Sequence, residues 1–126
     1  VTPPEALAVS FVEPISLVGY DVIRTDETWE IDLWWRAAGD LQTDLSVFVH
    51  LVDAQGKLVG QHDHIAGADA YPTSRWNPDT LLRDRFFITV PGGTCQGCHL
   101  WVGLYTPQGR LALQDGRDLV DIALEP

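Results

Sequence analysis

The chain has 126 residues, a length that fits one domain of the usual size of about 100–150 residues. Its hydrophobic share of 45% is ordinary for a chain that builds a core. With 18 Asp and Glu against 8 Lys and Arg the net charge is −10, a sign that repels phosphate backbones and disfavours nucleic acid as a partner. No apolar run reaches the roughly 18 residues of a membrane span. No basic stretch followed by an apolar one opens the chain, so no signal peptide and no direct membrane insertion are read from it.

Val1-Thr2-Pro3-Pro4 opens the chain with linker-like composition and no initiator Met, as in a piece of a longer protein. Residues 1–10 are expected as a linker and residues 11–126 as one domain. Ile15 to Val22 reads as a first strand. Trp29, Ile31, Leu33 and Trp35 alternate with Glu30, Asp32, Trp34 and Arg36, the period of two that marks a half-buried strand. Leu45, Val47, Val49 and Leu51 repeat it against Ser46, Phe48, His50 and Val52. Leu58 to Gln61 follows after Asp53-Ala54-Gln55-Gly56, a turn that ends on the residue best able to take a positive φ.

His62 to Asp79 shows no strand alternation and holds Gly67, Pro72 and Pro78, so it reads as a long loop. Loops of that length are commonly functional, and Tyr71, Arg75 and Trp76 are more than a spacer needs. Leu82, Phe86, Ile88 and Val90 give the next buried face, and Leu100, Val102 and Leu104 another. Arg110 to Leu113 and Leu119 to Leu124 complete about eight strands at sandwich spacing. Val49, Leu51, Gln55, Gly56, Leu58 and Gln61 recur as Val102, Leu104, Gln108, Gly109, Leu111 and Gln114, so two hairpins resemble each other, through duplication or through shared physical demands. The predicted fold is all-β, a two-sheet antiparallel sandwich of jelly-roll or immunoglobulin-like type.

Cys95-Gln96-Gly97-Cys98-His99 has the C-x-x-C-H spacing of c-type haem attachment. Pro91-Gly92-Gly93 before it and a strand after it are the wrong flanks for a motif that usually lies on a helix. Met, a common opposite axial ligand, is absent. His50, His62 or His64 would have to serve, or His62 or His64 would join the Cys pair and His99 at a metal. The plainer expectation is a disulfide Cys95–Cys98 pinching a turn, with no cofactor and no metal. Asp115, Asp118 and Asp121 match no calcium-loop spacing and read as exposed acids. Nucleophile-elbow, phosphate-loop and zinc-protease motifs are all missing, and no catalytic residue is assigned.

Trp34, Arg36, Phe48 and His50 fall on the strand faces opposite the core, and Arg83, Arg85 and Phe87 have the same phase on their own strand. If these strands are neighbours, the residues share one outer face, and Tyr71, Arg75 and Trp76 are expected to fold over it. Flat rings flanked by hydrogen-bond donors suit sugars. The plainer reading of the same set is a small second core under the loop, with an Arg–Asp pair inside. Trp34, Phe48, His50, Tyr71, Arg75, Trp76 and Arg83 are therefore the candidate ligand-binding residues.

Ile15-Ser16-Leu17-Val18-Gly19-Tyr20-Asp21, Leu33-Trp34-Trp35-Arg36-Ala37, Val47-Phe48-Val49-His50-Leu51-Val52-Asp53, Tyr71-Pro72-Thr73-Ser74-Arg75-Trp76 and Val102-Gly103-Leu104-Tyr105 carry a resemblance. From about Phe11 to Leu124 the chain resembles the C-terminal β-sandwich domain of Chloroflexi-type bacterial membrane glycosyltransferases similar to the protein O-mannosyltransferases. The Cys pair departs from that pattern. The resemblance implies a non-catalytic accessory domain outside the cytoplasm, tethered through a membrane-embedded parent chain. Its role would be structural, or the positioning of a glycan or glycosylation acceptor; a carbohydrate-binding module is the alternative, and haem or metal binding through Cys95, Cys98 and His99 a distant one.

Overall fold

A computed structural model describes residues 5–66 and 72–124. They form nine strands in two antiparallel sheets, with no α-helix among the described residues. The four-stranded sheet runs, in space, β1 (Glu5–Ser10), β2 (Ile15–Thr25), β3 (Thr28–Ala37) and β6 (Leu81–Thr89). In the other sheet β5 (Leu58–Ile65), β4 (Ser46–Val52) and β7 (His99–Thr106) are neighbours. Beyond β7, β8 (Gly109–Arg110) pairs with its end and β9 (Val120–Ala123) with its beginning. The chain thus changes sheet after β3, β5 and β6. An immunoglobulin constant domain instead places its strands in the orders 1-2-5-4 and 3-6-7, so the immunoglobulin option is set aside.

The alternation read from the sequence decides which residues meet between the sheets. Trp29, Ile31, Leu33 and Trp35 of β3 and Phe86 and Ile88 of β6 face Val47, Val49 and Leu51 of β4 and Leu100, Val102 and Leu104 of β7. All are buried, and Phe11 closes the core against Trp35 with ring centroids 6.1 Å apart. Val49 pairs directly with Val102, so the two similar hairpins lie side by side about that pair. Their strands β5, β4, β7 and β8 make most of one sheet.

Two expectations change. Residues 5–10, expected as linker, form the edge strand β1, paired with β2 from Glu5↔Tyr20 to Ser10↔Ser16. Their alternation is weak because an edge strand buries little. His62 to Ile65, expected in the loop, belong to β5 and pair with Val49 to Ser46. The inward positions there are His62 and His64 instead of aliphatic residues, so hydrophobic periodicity does not report them.

Both lateral seams of the sandwich are closed. On one, Phe11 bridges Leu113, with Val12 N–H on the Ala112 carbonyl at 2.9 Å and Gln114 N–H on the Ser10 carbonyl at 3.0 Å. On the other, the His62 ring reaches the backbone of Phe87 in β6. At one end, a 3-10 turn at Thr73–Arg75 is bolted to the irregular segment that leads into β4. The Thr73 hydroxyl donates to the Thr43 carbonyl at 2.7 Å and accepts from Leu45 N–H at 2.9 Å, and Ser74 N–H donates to Asp44 at 3.0 Å. Those bonds pull Trp76 into the main core, where only 3% of it is exposed.

Candidate functional site

The expected single face divides in two, because β3 and β4 belong to different sheets. Trp34 and Arg83 lie together on the outside of the four-stranded sheet, at paired positions with the guanidinium 6.0 Å from the ring centroid. Phe48 and His50 lie on the outside of the five-stranded sheet, their rings 4.9 Å apart. Trp76 covers neither face, since the Thr73 bonds turn it inward, and Arg75 is exposed on its 3-10 turn. Tyr71 lies outside the described residues.

Period-two geometry builds the richer of the two faces around Phe48. Leu100, Val102 and Leu104 point inward, so Trp101, Gly103 and Tyr105 point outward, beside His50, Phe48 and Ser46 of β4 in that order. Gly103 has no side chain, and the Phe48 ring lies across it: a Cβ there would come within 2.3 Å of the ring. Above the ring sits the Arg110 guanidinium, 4.4 Å from its centroid, and Tyr105 flanks it at 6.4 Å. Phe48 is therefore a buried floor, while Trp101 and Tyr105 stand half-exposed on either side of it. The sequence reading passed over Trp101, Tyr105 and Arg110, although the phase that sent Val102 and Leu104 into the core had already turned the first two outward.

Polar groups rim this floor. Gln61 and Asp63 of β5 pair with His50 and Phe48, and His50 Nε2 lies 3.9 Å from Asp63. On the far side Arg110 lies 3.6 Å from Asp118, and His99 Nδ1 and Asp121 are 2.7 Å apart. Burial pushes the His50 imidazole below its ordinary value, helped by Arg110 and opposed by Asp63. The shift favours the neutral imidazole, which presents one donor and one acceptor. Arg110 continues into a groove of about 360 Å³ at the end of the sandwich, lined also by Glu13, Thr43, Thr106 and Gln108.

The opposite face is a charged lattice. Arg85 bridges Glu30 at 3.1 Å and Asp32 at 3.4 Å, and Asp32 is buried. Glu30 is pushed above the usual carboxylate range, first by burial and then by the neighbouring Asp32. Ile23 and Phe87, both on the Glu30 row, are exposed at its margin.

Cys95 and Cys98 form a disulfide with Cα atoms 5.7 Å apart. In this form neither sulfur is free to bond a haem vinyl group, and His99 is engaged with Asp121. Asp115, Asp118 and Asp121 turn to different partners, Arg117, Arg110 and His99, and do not converge. No family model, no curated protein and no solved structure matches the chain.

Proposed function

We propose that this chain is a non-catalytic, extracytoplasmic accessory domain that holds a glycan or glycosylation acceptor on the outer face of its five-stranded sheet. The parent would be a membrane-embedded glycosyltransferase-like protein, as the family resemblance implies. The observation that carries the reading is the row Trp101, Gly103, Tyr105 laid against His50 and Phe48. Half-exposed rings offer flat apolar area to the C–H face of a sugar. Around them Gln61, Asp63, His50, Arg110 and Asp121 offer both donors and acceptors for sugar hydroxyls. The net charge of −10 favours neutral over anionic sugars. The disulfide supports an oxidising compartment. No helix among the described residues is long and apolar enough to cross a membrane.

The test is binding of the isolated domain to an array of neutral and anionic oligosaccharides, followed by calorimetry. Neutral glycans should bind, and Trp101→Ala should weaken them by about 1–3 kcal/mol, taking ring stacking on nucleic-acid bases as the guide. A panel with no binder, or a Trp101→Ala, Tyr105→Ala double variant that binds like the wild type, refutes the reading. A second reading, an interaction domain docked on its parent chain, is favoured by Phe87 and Ile23, 49% and 42% exposed on either side of Glu30 on the other sheet.

A further inference from the structure

The seam between β5 and β6 holds a chain of imidazoles that no part of the glycan face uses. His62 and His64 are two residues apart on β5, so both rings hang on its inner side, against Phe86. The His64 ring stacks on Phe86 with centroids 4.0 Å apart, and the His62 ring meets it edge-on at 5.3 Å. His64 Nε2 lies 2.8 Å from the carboxylate of Asp84, a residue of β6 that is only 4% exposed. A carboxylate accepts and cannot donate, so His64 carries its proton on Nε2 and keeps a lone pair on Nδ1. That lone pair faces His62 Nε2 at 3.3 Å.

His62 can meet it in either of two ways. Its Nδ1 lies 3.0 Å from the Phe87 N–H and 3.1 Å from the Phe87 carbonyl. Accepting from the N–H, it holds its proton on Nε2 and donates to His64. Donating to the carbonyl, it leaves Nε2 bare, and the two unprotonated nitrogens can then share a cation seated to one side of the line between them. Two nitrogens bound to zinc at 2.0–2.1 Å in tetrahedral geometry are about 3.3–3.4 Å apart, which matches the separation of this pair.

We propose that His62 Nε2 and His64 Nδ1 form a two-nitrogen site for a borderline transition-metal ion of the Zn²⁺ type. Each ring has the outer partner that metal-bound histidines usually have, a backbone carbonyl for His62 and a carboxylate for His64. Binding shifts the His62 proton from Nε2 to Nδ1, exchanging the bond accepted from the Phe87 N–H for one donated to the Phe87 carbonyl, and releases none to solvent. No group of three or more His, Cys, Asp or Glu among the described residues is arranged to hold a metal. The ion therefore keeps open positions for water or an outside donor, and binding is moderate. Both outer partners are on β6, so the ion would also fasten the two sheets together.

Zn²⁺ titration of the metal-free domain by calorimetry is the test, with Co²⁺ as a spectroscopic probe and Mg²⁺ as a hard-cation control. One equivalent of Zn²⁺ should bind and raise the melting temperature, because the folded state orients the pair and its outer partners and so binds more tightly than the unfolded chain, and Mg²⁺ should not. His62→Asn and His64→Gln should each abolish binding. Asp84→Asn should weaken it by about 10–100-fold, the usual cost of losing an outer partner, while His99→Gln should leave it unchanged. If a seam variant fails to fold, the Co²⁺ spectrum of the wild type decides through its nitrogen-ligand bands. Absence of saturable Zn²⁺ binding overturns the proposal, as does binding that survives in folded His62→Asn or is lost in His99→Gln.

Discussion

Replacing Trp76 with alanine removes the side chain that plugs one end of the core. A Trp ring buries about 150–250 Å², and with 3% of Trp76 exposed nearly all of that area is at stake. At about 25 cal/mol per Å² the transfer loss is about 4–6 kcal/mol, an upper figure because the unfolded chain already hides some surface. The segment carrying Trp76 is a loop pinned by Thr73 to Thr43 and Leu45, so it can settle partly into the space. The expected cost is therefore about 3–5 kcal/mol, a large part of the 5–15 kcal/mol typical of a domain. Urea unfolding followed by circular dichroism reads this as a lower midpoint at unchanged slope. A loss below about 1 kcal/mol, the scale of surface substitutions, would refute the placement of Trp76 as a packing anchor. So would a fall in glycan affinity with stability intact.

The other expectations are smaller in scale. Trp101→Ala, at a half-exposed position, should cost no more than about 0.5–1 kcal/mol in urea unfolding while weakening glycan binding; a loss like that of Trp76 would make it a core residue. Gly103→Ala would force its Cβ to within 2.3 Å of the Phe48 ring and should cost about 1–3 kcal/mol, and a neutral result in thermal melts would mean that the ring is free to swing aside. Because burial lowers the His50 pKa from 6.5, the unfolded chain binds the proton more readily. Stability should be full above that value and fall as pH drops toward the lowered folded one. His50→Gln should flatten that limb of the midpoint-against-pH curve, and an unaltered limb would assign it to another group. Expressed in a host that attaches haem, the domain should show no Soret band, and a stoichiometric band lost in Cys98→Ser would restore haem as a ligand.

Periodicity fixes what it can sense, the side of a strand on which a residue falls. Val47, Val49 and Leu51 in the core against Phe48 and His50 outside needed no coordinates, and neither did the glycine-closed turns that end each hairpin. The all-β sandwich follows from these local rules, since a strand with one apolar face must bury it against another. Periodicity could not say that β3 and β4 lie in opposite sheets, because crossing between layers leaves no local mark. That one fact separated Trp34 and Arg83 from Phe48 and His50. It was also silent on β1, whose edge position demands little burial, and on the end of β5, where His62 and His64 occupy inward positions as polar residues with partners across the seam. Which aromatics became floor, platform or core was decided by tertiary structure alone. Phe48 is sunk by Arg110 above it and Gly103 beneath it, and Trp76 is drawn inward by hydrogen bonds from a threonine three residues away to a distant segment. Such burial depends on partners brought together by the fold, and no single strand carries that information.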